Sequence, residues 1–204
     1  GKRLVKRGEN KMTMRKYKLI DIAILTAIAL LTDLVSYWVK SKFVQDTLYI
    51  APSIIFVIII YIRWGKLGIA SNVLLMIGQI TIYRHEILAS TPQLVGFILG
   101  YLSLSSVLIW TGKKKHDIIS SGFKMITLYL IIPYGLMILL EAGASNLLGF
   151  EGTFVTYWGR HVMNLPICLI IMVIAVFQKN LLVDMPTYLK EQQKERDEKN
   201  EYRN

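Results

Sequence analysis

The chain alternates between long apolar blocks and short polar connections. Residues 54–60 and 165–177 are near-continuous apolar runs, whereas the charges gather at the two ends and in a few brief loops. A helix that crosses a bilayer needs roughly 17–25 mostly apolar residues. On that measure the pattern predicts about six helices, near residues 19–39, 47–62, 67–83, 92–111, 123–141 and 157–178. Pro52 suits the first turn of the second helix, and Pro92 suits the start of the fourth. Outside them lie a basic arm over residues 1–18 and a charged tail over 179–204, where Lys190, Glu191, Lys194 and Glu195 stand at helical spacing. The expected fold is an all-α integral membrane protein, with one compact bundle over residues 19–178. The chain begins with Gly, and Met12 or Met14 would serve as a natural start, so the first eleven or so residues are kept out of the fold reasoning.

Composition agrees with the pattern. Hydrophobic residues make up 53% of the 204 residues and charged ones 19%, against about 25% charged in an ordinary soluble domain. One soluble core of this size cannot hide so many apolar blocks, which sets aside a soluble enzyme and a disordered chain. The net charge of +10 would suit nucleic acid only on a folded basic face. Here the basic residues flank apolar spans instead, and that is a topology signal. With the N-terminus inside, every Lys and Arg except Lys40, Lys42, Arg84 and Arg160 falls on the inner side. That asymmetry predicts both termini in the cytoplasm of a multi-pass protein of the cell membrane. Cys168, the single cysteine, lies inside an apolar run and reads as a small apolar filler.

Several chemistries lack their motifs. No phosphate-cradling G-x-x-x-x-G-K-[ST] loop occurs, nor H-E-x-x-H, nor G-x-S-x-G. His85, His116 and His161 share no helix face, so no metal centre, catalytic residue or cofactor is expected. No internal repeat supports a two-half transporter.

What remains is a set of polar residues expected at the outer surface. Arg84, His85 and Glu86 fall in the third loop, and Glu141, Asn146, Arg160, His161 and Asn164 in or beside the fifth. Ionisable groups at or within a membrane are costly and are functional candidates by default. Tyr37, Trp38, Tyr49, Tyr83, Tyr134, Tyr157 and Trp158 accompany them, although interface anchoring alone also accounts for such aromatics. Arg160 and Asn164 stand four apart on one face of the sixth helix. Asn164 lies deep enough that its amide must face the bundle interior, against another helix or a ligand. Arg160 suits either a ligand or snorkelling to the interface. Asp33, inside the first helix, would pair with a polar residue of the sixth or shape a pocket. Ala23 and Ala27 on the first helix, and Gly96 and Gly100 on the fourth, have the spacing that lets helices approach closely.

In layout, with these residues, the chain resembles the substrate-binding S components of energy-coupling-factor (ECF) vitamin transporters. Arg63, Trp64 and Gly65 are similar to the Arg-Trp-Gly connection between helices two and three of some members. Arg160, Asn164 and Leu165 are similar to the Arg-x-x-Lys-Asn-Leu segment that opens helix six of folate-type members, with Met163 in the place of the Lys. The resemblance implies capture of a water-soluble vitamin or related micronutrient at the outer face. It implies docking through Ala23 and Ala27 on a transmembrane coupling subunit, two cytoplasmic ATPase subunits, and reorientation in a bacterial plasma membrane. Arg84, His85, Tyr134, Glu141, Trp158, Arg160, His161 and Asn164 would then line the ligand site. Arg160, His161 and Arg84 would orient a carboxylate or phosphate-like group, Asn164 an amide or heterocycle, and Trp158 and Tyr157 would stack. That favours an anionic, pantothenate- or folate-like ligand, while Glu86 and Glu141 would equally serve a cation. The rival readings are a membrane structural or assembly subunit, a lipid-acting enzyme, and a channel.

Overall fold

The computed structural model describes residues 2–43, 48–111, 120–150, 154–178 and 181–201, with side chains for all of these except 2–13, 43, 197, 200 and 201. The Lys113–Lys115 run, His116, Lys179 and the basic side chains before Met12 therefore lie outside the described residues. Every described element is helical. α1 is Lys2–Phe43, α2 Ser53–Trp64, α3 Gly68–Ile82 and α4 the single turn Arg84–Ile87. α5, Thr91–Leu102, runs on as a 3-10 helix, Ser103–Trp110. α6, Gly122–Met125, leads through a π-helical stretch, Ile126–Ile131, into α7, Ile132–Leu147. α8 is Phe154–His161, α9 Asn164–Phe177 and α10 Met185–Glu201.

Among the described residues, four segments are long and apolar enough to cross a membrane: Met14–Lys42, Ser53–Ile82, Thr91–Trp110 and Gly122–Leu147. Phe154–His161 with Asn164–Phe177 would make a fifth if that pair, bent by 48°, counts as one. The second segment is not straight. Gly65 takes φ +58, which glycine adopts without penalty, and α3 turns back along α2. Asn72 Nδ2 donates to Tyr61 OH at 2.9 Å near the turn, and Gln79 Nε2 reaches Ser53 Oγ at 3.2 Å at the far end. At 1.5 Å per residue, α2 is only about 18 Å long, shorter than the hydrocarbon core of about 30 Å. It escapes that mismatch by position. Every residue of α2 except Phe56 is buried, so the run of isoleucines meets other helices.

α1 behaves differently. Thr26, Ala29, Asp33 and Lys40 form its one buried stripe, while Ile24, Ile28, Leu31, Leu34, Val35 and Trp38 face outward. A helix whose outward face is the apolar one, with its polar residues turned inward, is suited to hydrocarbon as a solvent. Ala23 and Ala27 lie on the exposed face. Gly96 and Gly100 do pack inside the bundle, because a Cβ at Gly96 would meet the Glu141 carbonyl at 2.6 Å and one at Gly100 the Met137 carbonyl at 2.8 Å. Close approach of α5 thus sets where α7 presents Glu141.

Four boundaries differ from expectation. The second helix, expected from about residue 47, begins only at Ser53, because residues 48–51 are non-helical. α1 is helical from Lys2, through the basic arm. The fifth expected helix continues to Leu147 and is widened at residues 126–131, where Pro133 cannot bond or fit against the turn before it. The sixth is broken at Val162 and Met163. At the end of the bundle that holds the α2–α3 turn, Arg63 grips Asp21 with two bonds (2.9 and 3.0 Å), Trp64 Nε1 donates to the same carboxylate at 2.6 Å, and Arg63 Nη1 reaches the Leu181 carbonyl at 3.0 Å. The Arg-Trp-Gly stretch is therefore a clamp between α1, the hairpin and the start of the tail.

Candidate functional site: a buried charged cluster at one end of the bundle

At the opposite end, residues 48–51 join α1 to α2 without forming a helix. Non-helical backbone inside an apolar bundle must find hydrogen-bond partners in the protein, and several backbone groups here have one. Tyr49 N–H donates to the Arg160 carbonyl at 3.0 Å, and Ala51 N–H to Asn164 Oδ1 at 2.8 Å. Tyr83 OH donates to the Ile50 carbonyl at 2.7 Å, and Ser53 N–H to Asp33 Oδ1 at 3.0 Å. Pro52 offers no side-chain cap to α2, so Asp33 supplies one from α1, placing a carboxylate where helix N–H groups favour negative charge.

The break between α8 and α9 turns Arg160, His161 and Asn164 onto this segment and onto α7. Glu141, 1% exposed, accepts from Arg160 Nη1 at 3.1 Å and from His161 Nε2 at 3.0 Å. His161 Nδ1 lies 3.0 Å from Tyr134 OH, and Asn164 Nδ2 donates to that same hydroxyl at 2.7 Å. With His161 neutral and its proton on Nε2, every member has a donor matched to an acceptor: Asn164 to Tyr134, Tyr134 to His161, His161 to Glu141. Glu86 extends the cluster, pairing with Lys40 Nζ at 2.5 Å and facing Arg160 Nη2 at 3.6 Å. Cations and carboxylates thus alternate in the order Lys40, Glu86, Arg160, Glu141.

A second polar group lies beneath. Asp33 accepts from Gln79 Nε2 as well as from Ser53, and Ser53 Oγ shares a 3.2 Å hydrogen bond with Tyr101 OH. No cation pairs with Asp33 among the described residues.

Of the residues expected in the site, Tyr134, Glu141, Arg160, His161 and Asn164 come together. Arg84 and His85 do not. They are exposed on α4 and touch each other, Nε to Nε2, at 3.3 Å. Their neighbour Glu86 points inward instead. Trp158, 45% exposed, packs on Phe154 and lines an apolar crevice of about 220 Å³ with Ile138, His161, Val162, Leu165 and Pro166. Arg160 is paired rather than snorkelling. Asp33 finds its partners on α2 and α3, not on the sixth expected helix. Lys40 carried no sequence signal beyond its charge, and the roles of Tyr49, Tyr83 and Gln79 depend on the path of residues 48–51. Among the described residues no group of three or more His, Cys, Asp or Glu could hold a metal ion.

These features define an all-helical protein with apolar helices fit to cross a membrane and a buried ionic cluster at one end. No protein-family model, curated protein or solved structure matches the chain.

Proposed function

We propose that this chain is the substrate-capture subunit of an ATP-driven importer of the ECF type. In this reading it lies in a bacterial plasma membrane as six passes, the α2–α3 hairpin counting as two and the bent α8–α9 pair as one. Both termini are cytoplasmic. The Lys40–Glu141 end faces outward and takes up a water-soluble vitamin or related micronutrient, and the exposed Ala23–Ala27 face docks on a coupling subunit served by two ATPase chains.

One observation carries the reading: the charged and hydrogen-bonded cluster of Glu141, Arg160, His161, Tyr134 and Asn164 is buried inside an otherwise apolar bundle. Buried ion pairs add little or no stability over well-packed apolar side chains. A purely structural bundle has no need of this one, so binding is the simplest use for it. The same cluster also favours a second reading, because its charges are paired within the chain: a structural or assembly subunit that binds no small molecule.

Affinity purification of the full chain from its own membranes in mild detergent separates the two. The importer reading expects a coupling subunit and ATPases to co-purify, and to be lost from the Ala23→Trp/Ala27→Trp variant. Recovery of the intact chain without ATPase subunits, under conditions that preserve such complexes, would favour the assembly role.

A further inference from the structure

Tyr49 is the one large side chain of the 48–51 segment that enters the bundle between its two polar layers. Its ring is fully buried, with ring centres of Tyr83 and His161 each 5.0 Å away and of Phe97 6.1 Å away, all inclined edge-to-face or tilted. The Arg160 guanidinium lies over its face at 5.4 Å. Its hydroxyl is buried and has no hydrogen-bond partner among the described residues. Phe97, which Tyr49 touches, packs in turn on Tyr101 at 5.6 Å, and the Tyr101 hydroxyl meets Ser53 Oγ of the deep polar group at 3.2 Å. A protonated donor without an acceptor is a costly arrangement, and it stands out beside the Tyr49 N–H, Ile50 carbonyl and Ala51 N–H, which are all paired.

We propose that the Tyr49 ring is a built-in stand-in for the ligand, and that a planar nitrogen-bearing ring with N–H donors, of the amidine or aminoheterocycle class, takes its slot when residues 48–51 lift. This rests on the capture reading above and names its substrate class. The slot is walled by aromatic edges and a guanidinium, which suit a flat ring. Its floor offers acceptors. The Asp33 carboxylate fixes Gln79 with its nitrogen inward, and among the described residues Gln79 Oε1 is buried without a partner and Asp33 has no cation of its own. The cations nearby, Lys40 and Arg160, are ion-paired with Glu86 and Glu141, although Arg160 Nη2 has no hydrogen-bond partner among the described residues. The carboxylate at the floor without an ion pair is Asp33, which favours a ligand with N–H donors over the anionic one expected from Arg160 and His161. Lifting the segment frees Asn164 Oδ1 and the Arg160 carbonyl, two further acceptors for the same donors.

The test uses the full-length protein in detergent micelles and three probes: benzamidine, benzoate and the saturated cyclohexanecarboxamidine. Binding is measured by calorimetry and ligand-observed NMR. Benzamidine binds the wild type, and binds Tyr49→Ala about tenfold more tightly because the competing ring is gone. Benzoate and the saturated amidine bind neither. Asp33→Asn keeps an oxygen for the Ser53 N–H but loses the charge, and weakens benzamidine about tenfold. Should Tyr49→Ala fail to fold, hydrogen exchange of the wild type replaces it, with benzamidine speeding exchange at the Tyr49 and Ala51 amides. Preferential binding of benzoate, or benzamidine binding that ignores both substitutions and leaves those amides protected, overturns the proposal. A chain that co-purifies with ATPases yet prefers benzoate refutes the ligand class alone. One that binds benzamidine as described but carries no coupling subunit refutes the importer and leaves the slot standing.

Discussion

Replacing Glu141 with Ala would remove the acceptor that Arg160 and His161 share. Glu141 is 1% exposed and the Arg160 side chain 14%, so solvent cannot take over the role of the carboxylate. Breaking a buried pair by deleting one partner costs about 3–5 kcal/mol. Arg160 retains Glu86 at 3.6 Å, which holds the expected loss near the lower end, about 3 kcal/mol. For a chain of this length each kcal/mol lowers the melting temperature by about 2–4 °C, so the variant should melt about 6–12 °C below the wild type. The assay is thermal unfolding in detergent, followed by circular dichroism. Adding Arg160→Met removes the stranded cation, and the double variant should be more stable than the sum of the single losses by about 1–2 kcal/mol. A Glu141→Ala protein that melts within about 2 °C of the wild type, or a strictly additive double variant, would refute the buried-pair reasoning.

Three further expectations follow from other contacts. Gly96→Ala drives a Cβ into the Glu141 carbonyl at 2.6 Å and should cost about 1–3 kcal/mol in denaturant or thermal unfolding, whereas Gly143→Ala, with open space at its Cβ, should not. Asn164→Leu strands the Ala51 N–H and leaves Tyr134 OH without its donor, a loss of about 2–4 kcal/mol, and should speed hydrogen exchange at residues 48–51 first. Arg63→Lys cannot reproduce the two-bond grip on Asp21 together with the Leu181 carbonyl, and limited proteolysis should release the tail beyond Leu181 sooner than in the wild type.

The helices were legible because hydrophobic blocks report them directly, and the inward aim of Asn164 followed from the cost of an amide in lipid. The small-residue spacing at Gly96 and Gly100 likewise foretold a tight helix crossing. The path of residues 48–51 was not legible, since nothing local distinguishes a short connection that re-enters the bundle from one that stays at its surface. That one path decides the roles of Tyr49, Tyr83 and Asp33. The Lys40–Glu86 pair spans 46 positions and depends on how α1 and α4 end relative to each other. Helical periodicity treated Arg160 and Asn164 as one face and missed the break at Val162 and Met163, although Pro166 neither bonds to nor fits against the Val162 carbonyl four residues before it. Arg84 and His85 were drawn into the site by charge alone. On a one-turn helix only one of three consecutive polar residues can face the bundle, and it is Glu86.

The central claim, that the buried cluster serves capture of a small solute, is tested most directly by native mass spectrometry of the gently purified full-length chain. The account predicts a bound vitamin-sized molecule in the wild type that is absent from folded Arg160→Met and Asn164→Leu variants. A wild-type chain that stays empty when isolated from cells grown in rich medium, or a bound molecule retained equally by both variants, would contradict it.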